Sequence, residues 1–236
     1  MYKRQTVKSM MMRTSTIPTT DQKNIETKFS AFVQEGAHPC IMAKSVFKMK
    51  NYDMHTYGDM HTPECITTLL DDLKTYISNI KHDTMEFRSF IAVFPNNYFS
   101  DEVGFENALW KTLQSLHDAD PSEWDSTVSH NPDDAEFSFS LHGKAFYVIG
   151  MHPASSRMAR QAPFTALTFN LHSQFEKLRS MGTYEKVRDM IRQNDKNLQG
   201  SINPVLKDFG DDSESRQYSG RNVEDAWKCP FHHKHN

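Results

Sequence analysis

A group of chemically capable side chains follows directly on an apolar segment, residues 145–151. His152 comes first, and Ser155, Ser156, Arg157 and Arg160 follow shortly afterwards. Imidazole is a common metal ligand, and guanidinium groups pair with carboxylates or phosphates through two parallel hydrogen bonds. Binding residues often lie on loops that a rigid element positions. The pattern therefore indicates a site at the end of a strand for an anionic ligand that contains a metal.

A second histidine, His172, follows the apolar stretch "ALTFN" at the expected start of a helix. A single histidine is more often a hydrogen-bonded structural residue. Two histidines on neighbouring strands, beside Arg157 and Arg160, favour a binding site. Haem matches this set, because its iron takes His or Cys and its propionates take Arg, Ser or Tyr.

Cysteines offer further candidate ligands. Cys229 lies in "DAWKCPF", close to Trp227, whose indole could stack on a porphyrin or donate to a thiolate. Cys40 lies in "AHPCIMAKS" at a predicted helix–loop junction, whereas Cys65 falls in the first turn of a helix and is expected to pack there. The alternative for Cys229 is a small buried hydrophobic residue. The candidate iron ligands are therefore His152 first and Cys229 second, followed by Cys40 and His172.

Composition and the absence of several known motifs argue against some classes of function. The net charge of −3 argues against nucleic acid as a general partner, and no apolar run is long enough to span a bilayer. The sequence contains no P-loop, no G-x-G-x-x-G motif after a strand and no G-x-S-x-G motif. Three cysteines do not form a disulfide framework, which suggests a reducing compartment and a cytoplasmic location. Residues 1–20 are basic; a disordered tail is favoured, with organelle targeting as the alternative.

Helical patterns occupy much of the chain. Residues 21–34 are apolar on one face, and a second helix is expected to begin at Pro63, capped by Thr62, and to continue to Ile80. A third helix is expected over 101–117. Residues 175–191 are predicted to form one helix or two, interrupted at Gly182.

Strands are expected over 87–95 and 164–172, with a hairpin that turns at His142 and Gly143. The order of elements indicates an α+β fold, with a mainly antiparallel sheet and helices packed on it. We expect residues 21–236 to form a single domain. Its polar segment 200–231 contains Trp227 and Phe231 near its end, and we expect it to fold back over the site.

Several long motifs in this sequence resemble those of a known family. They are "HPC..AKS", "FIAVF", "LW..LQ.LHD.D", "FSFSLHGKAFYVIGMHPASSR", "FNLHSQFEKLR", "LQGSINPVLKDFGDDSESRQYSGR" and "WKCPF", in that order. Together they closely resemble the YqcI/YcgG family, from about Phe29 to Phe231. Members of that family include the haem-dependent N-hydroxylases of guanitoxin and D-cycloserine biosynthesis, the latter acting on the guanidine group of arginine.

The resemblance implies a haem b enzyme that hydroxylates an amine or guanidine nitrogen of a small, arginine-like molecule. His152 would lie near iron, and Ser155, Ser156 and Arg157 near propionates or a substrate carboxylate. Glu214 would be the counter-ion of a guanidinium, with Tyr218, Asn203 and Arg221 as weaker candidates for substrate contact.

Dioxygen or peroxide would be the oxidant. Because no flavin or iron–sulfur motif is visible, electrons would come from a separate donor or from peroxide. The alternative is a non-catalytic haem carrier or sensor, in which Cys229 would be a reversible ligand. A third reading is a metal-free binding protein whose histidines are structural. The sequence leaves a homodimer open.

Overall fold

A computed structural model describes residues 19–80 and 86–234. In these ranges the helices are α1 (Thr19–Gln34), α2 (Ile41–Lys48), α3 (Pro63–Ser78), α4 (Glu102–Ala119), α5 (His172–Ser180) and α6 (Tyr184–Gln199). The strands are β1 (Tyr52–Thr56), β2 (Ser89–Phe94), β3 (Phe139–Leu141), β4 (Lys144–Met151) and β5 (Thr165–Leu171). Short 3-10 turns occupy Met158–Arg160 and Glu214–Gln217. None of the helices in the described ranges has the length and apolar character that a membrane crossing requires.

The strands form one sheet in the order β1-β2-β5-β4-β3. Three of its pairings are antiparallel, and only the edge pair β1–β2 is parallel. The predicted α+β single domain with a mainly antiparallel sheet is therefore confirmed. Strand β1 and helix α2 were not predicted. Both are short, and β1 is a half-buried edge strand that mixes Asp53 and His55 with apolar residues.

Local sequence explains the elements that were predicted. The Thr62 hydroxyl accepts the backbone N–H of Cys65 at the start of α3, and Pro63 occupies the first turn. Asp101 caps α4 in the same way, through a 2.7 Å hydrogen bond from Gly104 N. Between β3 and β4, His142 and Gly143 both have positive φ, as a two-residue hairpin with a type I′ turn requires. Residues 1–18 lie outside the described ranges, and Thr19 and Thr20 already belong to α1.

Both faces of the sheet are covered. Phe146 and Val148 of β4 and Phe169 of β5 face the larger core, which α3, α4 and the C-terminal segment complete. Side chains alternate along a strand, so Tyr147 and Ile149 face the opposite side. Helices α1 and α2 cover part of that side, and α5 and α6 border the rest of it.

The C-terminal segment is anchored in the larger core. Phe231 is fully buried among aromatic rings, including those of Trp124 and Phe139. The backbone of His232 exchanges two hydrogen bonds with the Gln114 side chain on α4. The aromatic residues near the end of the chain therefore pack as anchors, on the α4 side of the sheet.

Helix α4 approaches β4 closely at Gly150. A Cβ atom at this position would lie 2.5 Å from Leu109 Cδ1 and 2.8 Å from two ring atoms of Phe105. Gly150→Ala should therefore lower the free energy of unfolding by about 1–3 kcal/mol, the usual cost of overpacking a core. Gly58→Ala is the matched control, because a Cβ there meets nothing within 4 Å. Chemical denaturation measures both variants, and equal stability of the two would contradict the close packing.

Candidate functional site

A cavity of about 290 Å³ lies on the side of the sheet opposite α4. Its volume is near the lower end of the ~300–1,000 Å³ typical of small-molecule pockets. Strands β2, β4 and β5 form its floor, and helices α1, α2, α5 and α6 and the segment 203–217 border it. Much of its lining is apolar or aromatic, and includes Val46, Phe47, Ile91, Ile149, Phe175 and Leu178. Such a lining suits a largely apolar ligand with a few fixed polar groups.

Cys40 lies at the N-terminus of α2 and lines this cavity. Its Sγ atom accepts the backbone N–H of Ala43 at 3.4 Å. Burial raises the pKa of the Cys40 thiol, while backbone N–H groups at the start of the helix and the nearby Arg160 oppose that shift. A helix N-terminus and a guanidinium both stabilise a thiolate. Cys40 is therefore a half-buried thiol in surroundings that suit an anionic sulfur once a metal replaces its proton.

His38 supports the loop that carries Cys40. Its Nδ1 accepts the backbone N–H of Cys40 at 3.3 Å, and its ring packs edge-on against Phe32. Burial lowers the pKa of His38 to about 4, although a hydrogen bond to the Ala159 carbonyl opposes the shift. His38 is thus neutral at physiological pH, and both of its ring nitrogens are engaged in holding the loop.

A buried ion pair joins the loop after β4 to helix α6. Arg157 Nη2 donates to Asp195 Oδ2 at 2.6 Å, and both residues are buried. The same guanidinium also bonds the hydroxyl and carbonyl of Ser201, and Asp195 Oδ2 accepts the backbone N–H of Asn203. Both charges line the cavity wall, and the pair fixes the start of the 203–217 segment.

Arg160 is a second guanidinium beside the cavity, and it is half-buried. It donates to the backbone carbonyls of Gly150, Gln217 and Tyr218. Within the described part of the chain, no carboxylate lies within ion-pair distance of it. These hydrogen bonds attach the 217–220 segment to β4. The positive charge of Arg160 also favours the thiolate form of Cys40, so Arg160 makes the nearby cavity wall positive.

Glu214 is buried on the same cavity. Its Oε2 lies 3.2 Å from the Tyr218 hydroxyl, and its Oε1 lies 3.8 Å from His172 Nδ1. Burial raises the pKa of the Glu214 carboxyl to about 8. The carboxyl is therefore largely protonated near neutral pH, unless a cation enters the cavity and favours its ionised form.

His172 begins helix α5 and lines the cavity near Glu214. Its Nε2 lies 3.1 Å from Glu176 Oε1, and its ring contacts Phe209 at 4.4 Å between centroids. Burial lowers the pKa of His172, although Glu176 opposes this shift. A neutral imidazole at this position could bind a metal only by exchanging a contact with a neighbouring carboxyl group.

Tyr147 was not among the predicted site residues. It projects from β4 into the cavity, and its hydroxyl donates to Gln217 Oε1 at 2.8 Å. Burial raises the pKa of its hydroxyl, and Arg160 opposes the shift. The sequence could have predicted that Tyr147 faces this side of the sheet, because it shares a strand face with Ile149 and Met151.

Five of the sequence-predicted residues line the same cavity. They are Cys40, Arg157, Arg160, His172 and Glu214. Asn203, a weaker candidate, also lines it. The other candidates lie elsewhere: His152, Ser155, Ser156, Tyr218, Trp227, Cys229 and Arg221 do not line it.

His152 lies on the α4 side of the sheet, apart from the arginines with which the sequence grouped it. It is fully buried, and its ring stacks on Phe105 with centroids 4.4 Å apart. Burial lowers its pKa, and neither ring nitrogen has a hydrogen-bond partner among the described residues. Because side chains alternate along a strand, Met151 faces the cavity side and the next residue turns away from it.

Ser155 and Ser156 also turn away from the cavity. Both hydroxyls contact Glu102 Oε1 in the first turn of α4, at 3.5 and 2.8 Å. Tyr218 is fully buried beneath the cavity, where its hydroxyl accepts the backbone N–H of Phe139 and lies 3.1 Å from the Phe146 carbonyl. These residues hold the loop and the C-terminal segment in place.

Cys229 and Trp227 belong to the larger core on the opposite face. Trp227 Nε1 donates to Glu106 Oε1 at 3.0 Å, and Arg221 pairs with the same carboxylate. Burial raises the pKa of the Cys229 thiol to about 12. The sheet therefore separates Cys229 from Cys40. Over the ranges that the structure covers, no group of three or more His, Cys, Asp or Glu side chains is arranged to hold a metal ion.

Comparisons of the sequence relate this chain to known proteins. The model of the YqcI/YcgG family matches residues 29–232. Uncharacterized protein YqcI of Bacillus subtilis is 29% identical over 210 residues, which is 84% of this chain and 82% of the relative. Uncharacterized protein YcgG of the same organism is 25% identical over 207 residues, or 82% and 80%. No solved structure matches significantly.

The buried carboxyl of Glu214 predicts how the stability of the fold depends on pH. Its pKa is about 8 in the folded chain and about 4.5 without the influence of the fold. Between these values the folded state holds a proton that the unfolded state releases, so the free energy of unfolding falls as the pH rises. Glu214→Gln removes this titration, and its melting temperature should fall less than that of the wild type from about pH 5 to about pH 8.

Glu123→Gln is the control for this measurement, because Glu123 is exposed. Thermal unfolding followed by circular dichroism at a series of pH values compares the three proteins. Identical pH profiles for wild type and Glu214→Gln would show that Glu214 does not carry the expected proton.

Proposed function

The chain belongs to the YqcI/YcgG family, and we propose that it is a haem-dependent N-hydroxylase that acts on an amine or guanidine nitrogen of a small, arginine-like molecule. One observation carries the proposal. A half-buried thiol at a helix N-terminus, Cys40, and a buried carboxyl with a raised pKa, Glu214, line one largely apolar cavity. The resemblance to haem-dependent N-hydroxylases supports the same reading.

The cavity residues fit the chemistry of haem. Haem needs an axial donor, apolar surroundings for its ring and cationic partners for its propionates. Cys40, His38 and His172 are the candidate donors on the cavity wall, but both ring nitrogens of His38 already hold the loop that carries Cys40. Aromatic and aliphatic side chains surround the candidate donors, and Arg160 adds a guanidinium without a carboxylate partner among the described residues. The cofactor would be haem b.

Cys40 is the residue that would bind the haem iron. It faces the cavity, its surroundings include helix N–H groups and a guanidinium, and its loop is held in place by His38. A thiolate ligand also promotes O–O cleavage. His172 is the second choice, because its Nε2 is engaged with Glu176. His152 and Cys229, which ranked first and second on sequence, lie on the other face of the sheet and are no longer favoured.

Bound haem would supply the activation of dioxygen or peroxide, with electrons from a separate donor where dioxygen is used. The chain would supply the rest of the site. The apolar lining excludes water from the reacting groups. Arg160 would balance the charge of a Cys40 thiolate or of a propionate, since its own hydrogen bonds go to neutral carbonyls.

Glu214 would bind the cationic group of the substrate and exchange a proton with it. A guanidinium beside this carboxyl favours the carboxylate form, so binding and proton release are coupled. The resulting carboxylate, held against the bound group, can then accept a proton from it. Loss of that proton frees a nitrogen lone pair, which an N-hydroxylation requires.

The first experiment is an absorption spectrum of protein purified after expression with haem supplied. We expect a stoichiometric Soret band whose position shows thiolate ligation. Cys40→Ala should lose haem or lose the thiolate signature, because no other thiol lines the described cavity. Cys65→Ala and Cys229→Ala are matched controls, since both thiols are buried in the larger core. An unchanged spectrum in Cys40→Ala would exclude Cys40 as the ligand.

Turnover separates the proposed enzyme from a haem carrier. Haem-loaded protein is incubated with arginine or simple amines and with peroxide or a reductase system, and products are analysed by mass spectrometry. The proposal expects the addition of a single oxygen atom to nitrogen and a severe loss of product in Glu214→Gln. Stoichiometric haem with no oxygenated product from any amine or guanidine would favour a carrier or sensor instead.

A further inference from the structure

A row of tyrosine and tryptophan rings leads from the cavity to the α4 side of the sheet. Tyr147 lines the cavity, and its ring centroid lies 5.9 Å from that of Tyr218. The Trp110 ring stacks on Tyr218 at 5.7 Å, and the Trp227 ring lies 6.3 Å beyond Trp110. Each separation falls within the ~4.5–7 Å that is usual for aromatic rings in contact.

The burial of these rings changes along the row. Tyr218 is fully buried, and Trp110 is only 2% exposed. Trp227 is half-buried, so part of its side chain reaches solvent. The row therefore connects the cavity on one side of the sheet with the surface of the protein on the other side.

Packing alone does not explain a tryptophan at position 110. The indole N–H of Trp110 is buried and has no acceptor among the residues that the structure describes. A buried donor without a partner costs about 1–3 kcal/mol, which phenylalanine at this position would avoid. Indole differs from a phenyl ring in a second property, because it gives up an electron much more readily.

Proton acceptors lie beside the rings that would need them. A phenol that loses an electron also releases its proton, and the Tyr218 hydroxyl lies 3.2 Å from Glu214 Oε2, which takes that proton when the carboxyl is ionised. Trp227 Nε1 donates to the Glu106 carboxylate at 3.0 Å. An oxidised indole can keep its proton briefly, so Trp110 needs no acceptor to pass an electron on.

We propose that Tyr218, Trp110 and Trp227 form an electron route that removes an unused oxidising equivalent from the cavity. This inference rests on the proposed function, because peroxide that reacts at bound haem without substrate would leave such an equivalent there. The Tyr147 hydroxyl donates to the amide oxygen of Gln217, which is not a base. Tyr147 therefore couples the cavity to Tyr218 without being oxidised itself.

Electrons move inward along the route one at a time. Each electron passes from Trp227 through Trp110 and Tyr218 to the cavity, and oxidised Trp227 then takes one electron from a small reductant in solvent, such as ascorbate. Reduction of one peroxide molecule to two water molecules takes two electrons and two protons. The route is therefore used twice for each peroxide, and the protons come from solvent.

Pulse radiolysis tests the route in the full chain without haem. Azide radicals oxidise indole rings that solvent reaches, such as that of Trp227, and the vacancy then moves along the same row in the opposite direction. We expect indolyl absorption to decay as tyrosine phenoxyl absorption grows, at a rate that does not depend on protein concentration. The solution is kept at about pH 9, above the Glu214 pKa of about 8, so that its carboxylate can take the Tyr218 proton.

Trp110→Phe is the decisive variant, because it keeps an aromatic ring but removes the residue that passes the electron on. The conversion of indolyl to phenoxyl radical should slow severalfold or disappear. Trp124→Phe is the matched control, since Trp124 is another half-buried tryptophan packed on the same core but outside the row. If Trp110→Phe does not fold by circular dichroism, Trp227→Phe replaces it and should lose the growth of phenoxyl absorption.

Peroxide tests the route from the cavity end. Haem-loaded protein is treated with peroxide and ascorbate in the absence of substrate, and bleaching of the Soret band is followed. Trp110→Phe should bleach severalfold faster than the wild type, and Trp124→Phe should match the wild type.

Three results would overturn the electron route: radical conversion as fast in Trp110→Phe as in the wild type, an equal slowing in Trp124→Phe, or equal bleaching in Trp110→Phe and the wild type. Failure of the chain to take up haem, with the expected radical conversion, would instead overturn the proposed function and leave the electron route standing.

Discussion

The alternation of side chains along β4 and β5 is the constraint on which the rest of the structure depends. Both strands are central, and both of their faces are covered, so consecutive residues go to two separate interiors. Phe146, Val148 and Phe169 build the core under α4. Tyr147, Ile149 and Asn170 form the floor of the cavity. Because the period is two, a shift of one residue would exchange core and cavity entirely.

Charge inside the cavity is organised around that floor. Arg157 and Asp195 form an ion pair, whereas the hydrogen bonds of the Arg160 guanidinium within the described ranges go to backbone carbonyls. Glu214 is buried, and the titratable group nearest to it in those ranges is His172, whose lowered pKa favours the neutral imidazole. A thiolate at Cys40 would balance the charge of Arg160, and a cationic ligand would balance the charge of an ionised Glu214. Under the proposed function, Arg160 would face an anion and Glu214 a cation, and the apolar lining would surround both.

Much of the fold could be predicted, because local chemistry specifies it. Thr62 and Pro63 start α3, Asp101 starts α4, and His142-Gly143 makes the turn between β3 and β4. Strand β1 could not be found in the same way, since its residues are half-buried at a sheet edge and lack clean alternation. Helix α2 is too short for a periodic signal to stand out.

The site was harder to predict than the fold. The arginines, His172, Glu214 and Cys40 were all identified from residue type and motif, but their ranking depended on which face of the sheet each one reaches. His152 ranked first because it ends a strand, although the parity of Tyr147 and Met151 already implied that it turns away. No local sequence pattern could show that Cys40 reaches the cavity, because its position depends on how α2 packs against the sheet and α6.

The position of iron in a crystal of the haem-loaded protein tests the central claim most directly. An anomalous difference map locates the metal without reference to any assumed ligand. We expect one peak in the cavity bounded by β4, α2 and α6, within bonding distance of Cys40 Sγ. A peak on the α4 side of the sheet, beside Cys229 or His152, would contradict the assignment of the site.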